Sequence, residues 1–338
     1  MIAAVRVRTA SRLHFGLLSL PAESKWPDCE GDLRLQARRY GGVGLMIEKP
    51  GIELVASPAA EWAADGPLAA RALAYARRFA KALPGWYPNQ PYPAQHLTIV
   101  ASAPEHAGFG TGTQLGLAVA QALATAWRVP PSPVRELAEF VGRGQRSALG
   151  VHGFDLGGLL VEGGKGAIEE VSPLLVHYGF PLGWRIVVVL PGHAAGTAGA
   201  QEAQAFEVLE RSGVPLAQTD AMCRLILLGM LPALAEADLA AFGEALYDYN
   251  RRAGAMFAAV QGGVYANPQS AAIIQFLRAQ GVRGVGQSSW GPAVFAVVGT
   301  EEEAEHWTAE LRSRFGLEAN EVWWTCAANH GAVVEMVG

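Results

Sequence analysis

The chain has 338 residues, a formal net charge of −5 and 51% hydrophobic residues. That length suggests about two domains, each with a real core, and the apolar fraction excludes a disordered chain. The slightly acidic balance argues against a nucleic-acid-binding protein, which carries a basic face. Glycine supplies 40 residues, about 12% of the chain against an average near 7%, with no Gly-X-Y period, so collagen is excluded. Only four of the 26 basic residues are lysines (Lys25, Lys49, Lys81, Lys165).

Met1–Thr9 alternates apolar and polar residues and predicts a strand, with Ser11–Leu18 as a second short element. Residues 21–39 are polar and predict a loop. Tyr40–Ile47 is a glycine-rich turn feeding a buried strand, and Ile52–Ala56 is expected to pair with it as a hairpin across Pro50-Gly51. Helical spacing over Pro67–Leu83 precedes a proline-rich loop and a strand at His96–Ser102. A small-residue helix is expected over Leu115–Trp127 and another over Pro133–Leu149. Gly150–Gly166 holds seven glycines among apolar residues and predicts strands with tight turns.

Phe180–Gly183 marks the expected domain boundary, giving units 1–180 and 181–338. Beyond it, strands are expected at Trp184–Leu190, Pro292–Val298, Val322–Cys326 and Ala332–Met336. Helices are expected at Glu202–Arg211, Asp220–Leu231, Leu234–Arg252, Pro268–Gln280 and Glu301–Phe315. The pattern is that of an α+β protein. Cys29, Cys223 and Cys326 are too few and too widely spaced for a disulfide framework or a CxxC metal site. The N-terminus lacks the apolar region of a signal peptide, and no apolar run reaches 18 residues. A soluble cytoplasmic protein is expected.

The segment that carries chemistry is Pro104–Gln114, PEHAGFGTGTQ, between an expected strand and an expected helix. Gly108, Gly110 and Gly112 let backbone N–H groups approach a ligand closely. Thr111 and Thr113 add hydroxyls, and the helix start adds its positive end, which together predict a phosphate site. A Walker loop is excluded, because no lysine falls between Lys81 and Lys165. The Gly-x-Gly-x-Gly spacing also differs from the Rossmann fingerprint.

This loop resembles the phosphate loop of the GHMP kinase superfamily, with Phe109 in place of the usual leucine and Thr111-Gly112-Thr113 in place of Ser-Ser-Ala. Ser11–Leu18 (SRLHFGLL) is similar to that superfamily's N-terminal motif, and Gly284–Ala296 to its C-terminal glycine-rich motif. Within the superfamily, five segments together resemble the β-ribofuranosylaminobenzene 5′-phosphate synthase family: Arg12–Leu18, Gly41–Leu45, Gly110–Gln114, Gly157–Gly164 and Ser288–Pro292. The resemblance implies a two-domain fold: an N-terminal ribosomal S5 domain 2-like unit containing loop 104–114, and a C-terminal ferredoxin-like α/β sandwich containing loop 284–292. It implies decarboxylating transfer of a phosphoribosyl group from phosphoribosyl diphosphate (PRPP) to 4-hydroxybenzoate or 4-aminobenzoate in tetrahydromethanopterin biosynthesis. Carbon dioxide and diphosphate are released. The alternatives are an ATP-dependent GHMP small-molecule kinase and a non-catalytic ligand-binding relative.

From this resemblance Gly108, Gly110, Thr111, Gly112 and Thr113 are expected to bind phosphate, with Ser288 and Ser289 closing over it. Gln114 is expected either to orient a phosphate or to cap the helix. Arg12 and His14 share one face of a strand and are expected in the site. Asp155, two residues before Gly157-Gly158, is the expected catalytic carboxylate and the expected Mg²⁺ ligand. His106, Phe109 and Trp290 are expected to line the aromatic acid's pocket, with Phe15 as a further possibility. Glu105, His152 and Glu202 are weighed against ordinary loop, packing and helix-start roles. A homodimer is expected from the resemblance.

Overall fold

The computed structural model describes residues 4–20, 38–166, 171–192, 207, 209, 213–289 and 291–338. Strand β1 (Ala4–Ser19) is one continuous strand rather than two elements. It pairs antiparallel along its length with β2 (Tyr40–Pro58). The expected hairpin across Pro50-Gly51 is absent, because both halves of β2 pair with β1. The register jumps from Thr9–Ile52 to Ser11–Ile47, so residues 48–51 are accommodated as a bulge. A second shift between His14 and Gly16 re-aims β1 where it meets the site.

The long β2 serves two neighbours on its far side. Its second half pairs with β4 (Gln95–Ala101), which carries the parallel strand β3 (Ala63–Asp65). Its first half pairs with β5 (Leu159–Glu162), which pairs with β6 (Leu174–Tyr178). A second, four-stranded sheet has the order β10 (Val322–Thr325), β7 (Arg185–Val189), β9 (Val294–Val298), β8 (Gly284–Gln287). The last strand, β11 (Val333–Val337), returns to pair with β1, completing a seven-stranded first sheet. Residues 333–337 therefore belong to the sheet built mainly by residues 4–178.

Helices α1 (Ala69–Ala82), α2 (Thr111–Ala126), α3 (Val134–Phe140) and α4 (Leu149–Leu156) belong to the first half of the chain. Helix α2 is buried nearly all round, as its Ala-, Gly- and Leu-rich composition demands. It begins four residues before the expected Leu115. The expected helix over 133–149 is broken, because Gly142 (φ 68°) and Gly144 (φ 82°) are left-handed. The Gly142 and Arg143 N–H groups close α3 on Glu139 O (2.9 Å) and Ala138 O (2.7 Å). The first half of the expected strand region 150–166 is instead α4, and only Leu159–Glu162 is strand.

Beyond β7, α5 (Leu216–Leu225) runs through a π turn (Ile226–Met230) into α6 (Leu231–Ala235). Helices α7 (Leu239–Met256), α8 (Ala258–Gln261), α9 (Pro268–Ala279) and α10 (Glu301–Phe315) follow. Asp238, Asn267 and Thr300 cap α7, α9 and α10 by accepting from N–H groups three residues on. The expected helix at 202–211 lies largely outside the described residues.

One apolar cluster joins the two sheets. It runs from Leu13, Phe15 and Leu45 through Phe109 and Phe180 to Phe242, Tyr249 and Phe295. Three side-chain bonds reinforce it. Tyr249 Oη donates to Gly16 O (2.9 Å), and Asn250 Nδ2 donates to both Phe15 O (2.7 Å) and Gln287 O (2.8 Å). No helix among the described residues is long and apolar enough to cross a membrane.

Candidate active site

The glycine loop forms one wall of a cavity of about 740 Å³, within the usual range for small-molecule sites. Of the residues singled out in the sequence, Arg12, His14, His106, Gly108, Phe109, Gly110, Thr111, Gly112, Thr113 and Ser289 border it. The loop turns through left-handed His106 (φ 56°), Gly108 (φ 95°) and Gly110 (φ 70°), and Gly110 is the N-cap of α2. The first helical turn closes when Thr113 and Gln114 N–H both donate to Gly110 O. The N–H groups of Thr111 and Gly112 precede those bonds, at the positive end of the helix.

A clasp holds this loop in place. Ser288 Oγ donates to Gly108 O (2.6 Å) and accepts from His14 N–H (3.0 Å). Ser289 N–H donates to His14 O (2.9 Å), and Arg12 N–H to Phe109 O (2.9 Å). Ser288 and Ser289, β1 and the glycine loop are thus bound into one unit. This changes the expected role of Ser288: its hydroxyl is fully buried and spent on two backbone groups, so it holds the loop rather than a phosphate. Only Ser289 reaches the cavity.

Gln114 is corrected in the same way. It is fully buried, donating from Nε2 to Gly150 O (2.7 Å) and accepting from the Thr9 hydroxyl. It ties β1, α2 and α4 together and neither caps the helix nor faces the cavity. Thr111 donates its hydroxyl to Pro104 O (2.9 Å), so its contribution to a ligand is through the backbone. Phe109 has no exposed surface and its ring lies 6.1 Å from that of Trp323, so its side chain belongs to the core. Phe15 is likewise core, 5.1 Å from Phe295. Trp290 and Glu202 lie outside the described residues.

Asp155 is not brought to the cavity. As part of α4 rather than a strand, its side chain is turned to the exposed surface. His152 is buried away from the cavity, with Nε2 2.8 Å from Ser172 O. No three His, Cys, Asp or Glu side chains converge among the described residues. Glu105, the one acidic residue of the cavity lining, is bonded to Arg71. This donor set does not fit a protein-held Mg²⁺ ion at Asp155.

The cavity's charge comes instead from arginines: Arg12, expected from the sequence, and Arg71, Arg143 and Arg146, which gave no signal there. Arg71 of α1 lies directly over Gly112, where a Cβ would collide with its Nη2. Arg143 donates from Nε and Nη2 to Thr113 Oγ1 (both 3.2 Å). Arg12 packs its Nε 3.2 Å from where a Gly110 Cβ would stand. Arg146 completes the lining. Two guanidiniums beside a helix N-terminus repel one another and the helix dipole, an arrangement favoured by an anion bound between them.

A further missed residue is Glu162, on β5 and fully buried. It accepts from Ser147 Oγ and Ala148 N–H (both 2.6 Å). Burial pushes its carboxyl pKa up, opposed by these hydrogen bonds and by the charge of Arg12. A carboxylate at the end of the apolar run Leu159–Val161 was the available signal.

His14 is fully buried, and burial first and the Arg12 charge second hold its pKa well below 6.5. Its Nδ1 accepts from Gly16 N–H (3.1 Å), so the neutral ring carries its proton on Nε2. Because the native state resists a proton that the unfolded chain accepts, stability falls as pH drops through about 6.5. Thermal unfolding should therefore lose melting temperature between pH 7 and 5, and His14→Asn, which keeps an acceptor for Gly16 N–H, should flatten that slope. An unchanged slope would contradict the buried neutral ring.

The description "GHMP kinases C terminal" matches residues 230–316. The beta-ribofuranosylphenol 5′-phosphate synthase of Methanothermobacter thermautotrophicus is 30% identical over 319 residues, 88% of this chain and 89% of that one. The protein of the same name from Archaeoglobus fulgidus is 33% identical over 263 residues, 72% and 74% of the two chains. The chain belongs to the β-ribofuranosylphenol 5′-phosphate synthase family. Its fold is that of the GHMP kinases. Homoserine kinase from Cytophaga hutchinsonii superposes with a TM-score of 0.65 at 14% identity, over 98% of this chain and 97% of that one. Mevalonate diphosphate decarboxylase from Staphylococcus aureus does so with a TM-score of 0.64 at 14% identity, over 98% of each chain. Membership of a synthase family on a kinase fold makes this chain an enzyme of the pentosyltransferase type, and the kinase alternative is not favoured.

Proposed function

We propose that the enzyme transfers a 5-phosphoribosyl group from PRPP to 4-hydroxybenzoate or 4-aminobenzoate, releasing carbon dioxide and diphosphate, in tetrahydromethanopterin biosynthesis. The phenol in the relatives' name favours the hydroxy acid. The observation that carries the reading is the arginine-rich cavity on the glycine loop: Arg12, Arg71, Arg143 and Arg146 face it, against one lining carboxylate, Glu105. A donor with a diphosphate at one end and a phosphate at the other calls for such an excess of positive charge.

The ring carbon bearing the carboxylate bonds to C1 of the ribose as the C1–oxygen bond breaks, and diphosphate leaves with that electron pair. The bond to the carboxylate then breaks, its electrons restore the aromatic ring, and carbon dioxide departs. Atoms and electrons balance without a redox cofactor. The N–H groups of Thr111 and Gly112, with Arg71 and Arg143 beside them, supply fixed positive charge for the departing diphosphate. Magnesium is part of the substrate in this reading, entering bound to the diphosphate. His14 contributes a neutral N–H donor at the cavity wall.

Ligand-dependent melting tests the assignment. PRPP with Mg²⁺ should raise the melting temperature and ATP with Mg²⁺ at the same concentration should not; stabilisation by ATP alone would support phosphoryl transfer instead. Arg71→Gln should raise KM for PRPP by about 10–100-fold, the worth of a hydrogen bond to a charged group. An unchanged KM would remove Arg71 from the site. The proposal includes a cytoplasmic homodimer, and light scattering at the mass of one chain would contradict the dimer.

A further inference from the structure

The segment Gly142–Ser147, sequence GRGQRS, lines the cavity without interruption, yet nothing in the glycine-loop motif accounts for it. Three anchors fix its course. Arg143 is held on Thr113 Oγ1 by two bonds of 3.2 Å. Lys165 Nζ donates to Gln145 O (2.9 Å). Ser147 Oγ donates to Glu162 (2.6 Å), next to the Ala148 N–H that the same carboxylate receives. The left-handed glycines 142 and 144 flank Arg143 and keep the segment from becoming helix. What results is a fixed wall carrying two arginines, with no acidic side chain among its six residues.

The α2 turn already gathers Arg71, Arg143 and two leading N–H groups. A ribosyl donor with two anionic ends separated by a sugar needs a second cationic station. Arg146 is the lining arginine at the end of the wall next to Ser147 and α4, three residues beyond the arginine that contacts the α2 turn. We propose that Gly142–Ser147 is a second anion subsite, in which Arg146 binds the 5′-phosphate of the ribosyl donor while the α2 turn binds its diphosphate. This assignment rests on the PRPP reading above. The chemistry supports the order of the two ends. The departing diphosphate gains charge in the reaction and needs the preorganised dipoles of the helix end. The 5′-phosphate keeps its charge throughout and needs only a positional anchor.

Separate probes test the two stations on the full-length protein. Binding of ribose 5-phosphate and of inorganic diphosphate is measured by calorimetry for the wild type, Arg146→Gln and Arg71→Gln. Arg146→Gln should weaken ribose 5-phosphate by about tenfold or more while diphosphate changes less than about threefold, and Arg71→Gln should show the reverse. Arg146→Lys, which keeps the charge, should recover part of the loss, and an unchanged melting temperature separates lost contact from lost fold. Equal weakening of both probes by Arg146→Gln, or none, overturns the subsite. Wild-type turnover with PRPP and 4-hydroxybenzoate, run in parallel, reports on the underlying reading. Turnover with equal weakening overturns the subsite alone. No turnover, with ATP bound in place of both probes, overturns the function and the subsite together.

Discussion

Replacing Gly291 with alanine will lower kcat/KM by about 100-fold, because a small displacement of positioned groups is enough for a loss of that size. A Cβ at Gly291 would be driven into the Cα and N of Gly108, and into the Ala107 carbonyl carbon. These are backbone atoms that cannot swing aside. The collision lies inside the clasp in which Ser288 holds Gly108 O and His14 N–H, and in which Ala293 N–H reaches Ala107 O (3.3 Å). Relief requires Gly291 and Ser288 to lift from the glycine loop, taking Ser289 and the carbonyl side of His14 with them. Overpacking of this kind costs about 1–3 kcal/mol in stability, so the fold survives while the site shifts. Gly85→Ala is the matching control, since nothing lies within 4 Å of its Cβ position. Activity within twofold of wild type in Gly291→Ala would show that the two loops need no close approach.

The second large effect is expected at Glu162. Glu162→Leu leaves the Ser147 hydroxyl and the Ala148 N–H without their acceptor and removes the carboxylate that opposes Arg12. Leaving a buried donor without its acceptor costs about 1–3 kcal/mol for each group, together a large part of a typical stability of about 5–15 kcal/mol. Glu162→Gln separates the contributions. Burial raises the carboxyl's pKa, so its ionised form is held at a cost that an amide avoids. The glutamine variant should therefore lose much less stability than the leucine variant while still lowering activity, because Arg12 loses a nearby negative charge and Ser147, which ends the 142–147 wall, loses a charged acceptor. Denaturant unfolding of both variants checks this. A loss below about 1 kcal/mol in Glu162→Leu would contradict the role given to the carboxylate.

The parts of the site that could be read in the sequence are those in which the backbone does the work. Gly108, Gly110 and Gly112 announce a close approach wherever they occur, and the Arg12-x-His14 pair follows from strand alternation. Arg71, Arg143 and Arg146 gave no such signal. They come from a helix and a turn whose meeting with the α2 terminus depends on tertiary packing, and they are hidden among the chain's many arginines. Asp155 misled because Gly150–Gly158 reads as turn and strand. Packed under α2, with Gln114 holding Gly150 O, the same residues form a helix that turns the carboxylate outward. Ser288 and Gln114 were singled out by their place in the motifs; both are fully buried polar groups whose partners are protein atoms, the Gly108 and Gly150 carbonyls, the His14 N–H and the Thr9 hydroxyl. In the fold, the long β1–β2 pair was read as four short elements because a bulge and a Pro-Gly step resemble a hairpin when only one strand is in view.

The most direct measurement is turnover with PRPP, Mg²⁺ and 4-hydroxybenzoate labelled in its carboxyl carbon. The expected result is release of labelled carbon dioxide and diphosphate in equal amounts, with a ribosyl phosphate product that retains the ring. Failure to release the label, with ATP-dependent phosphorylation of a small molecule in its place, would contradict the proposed reaction.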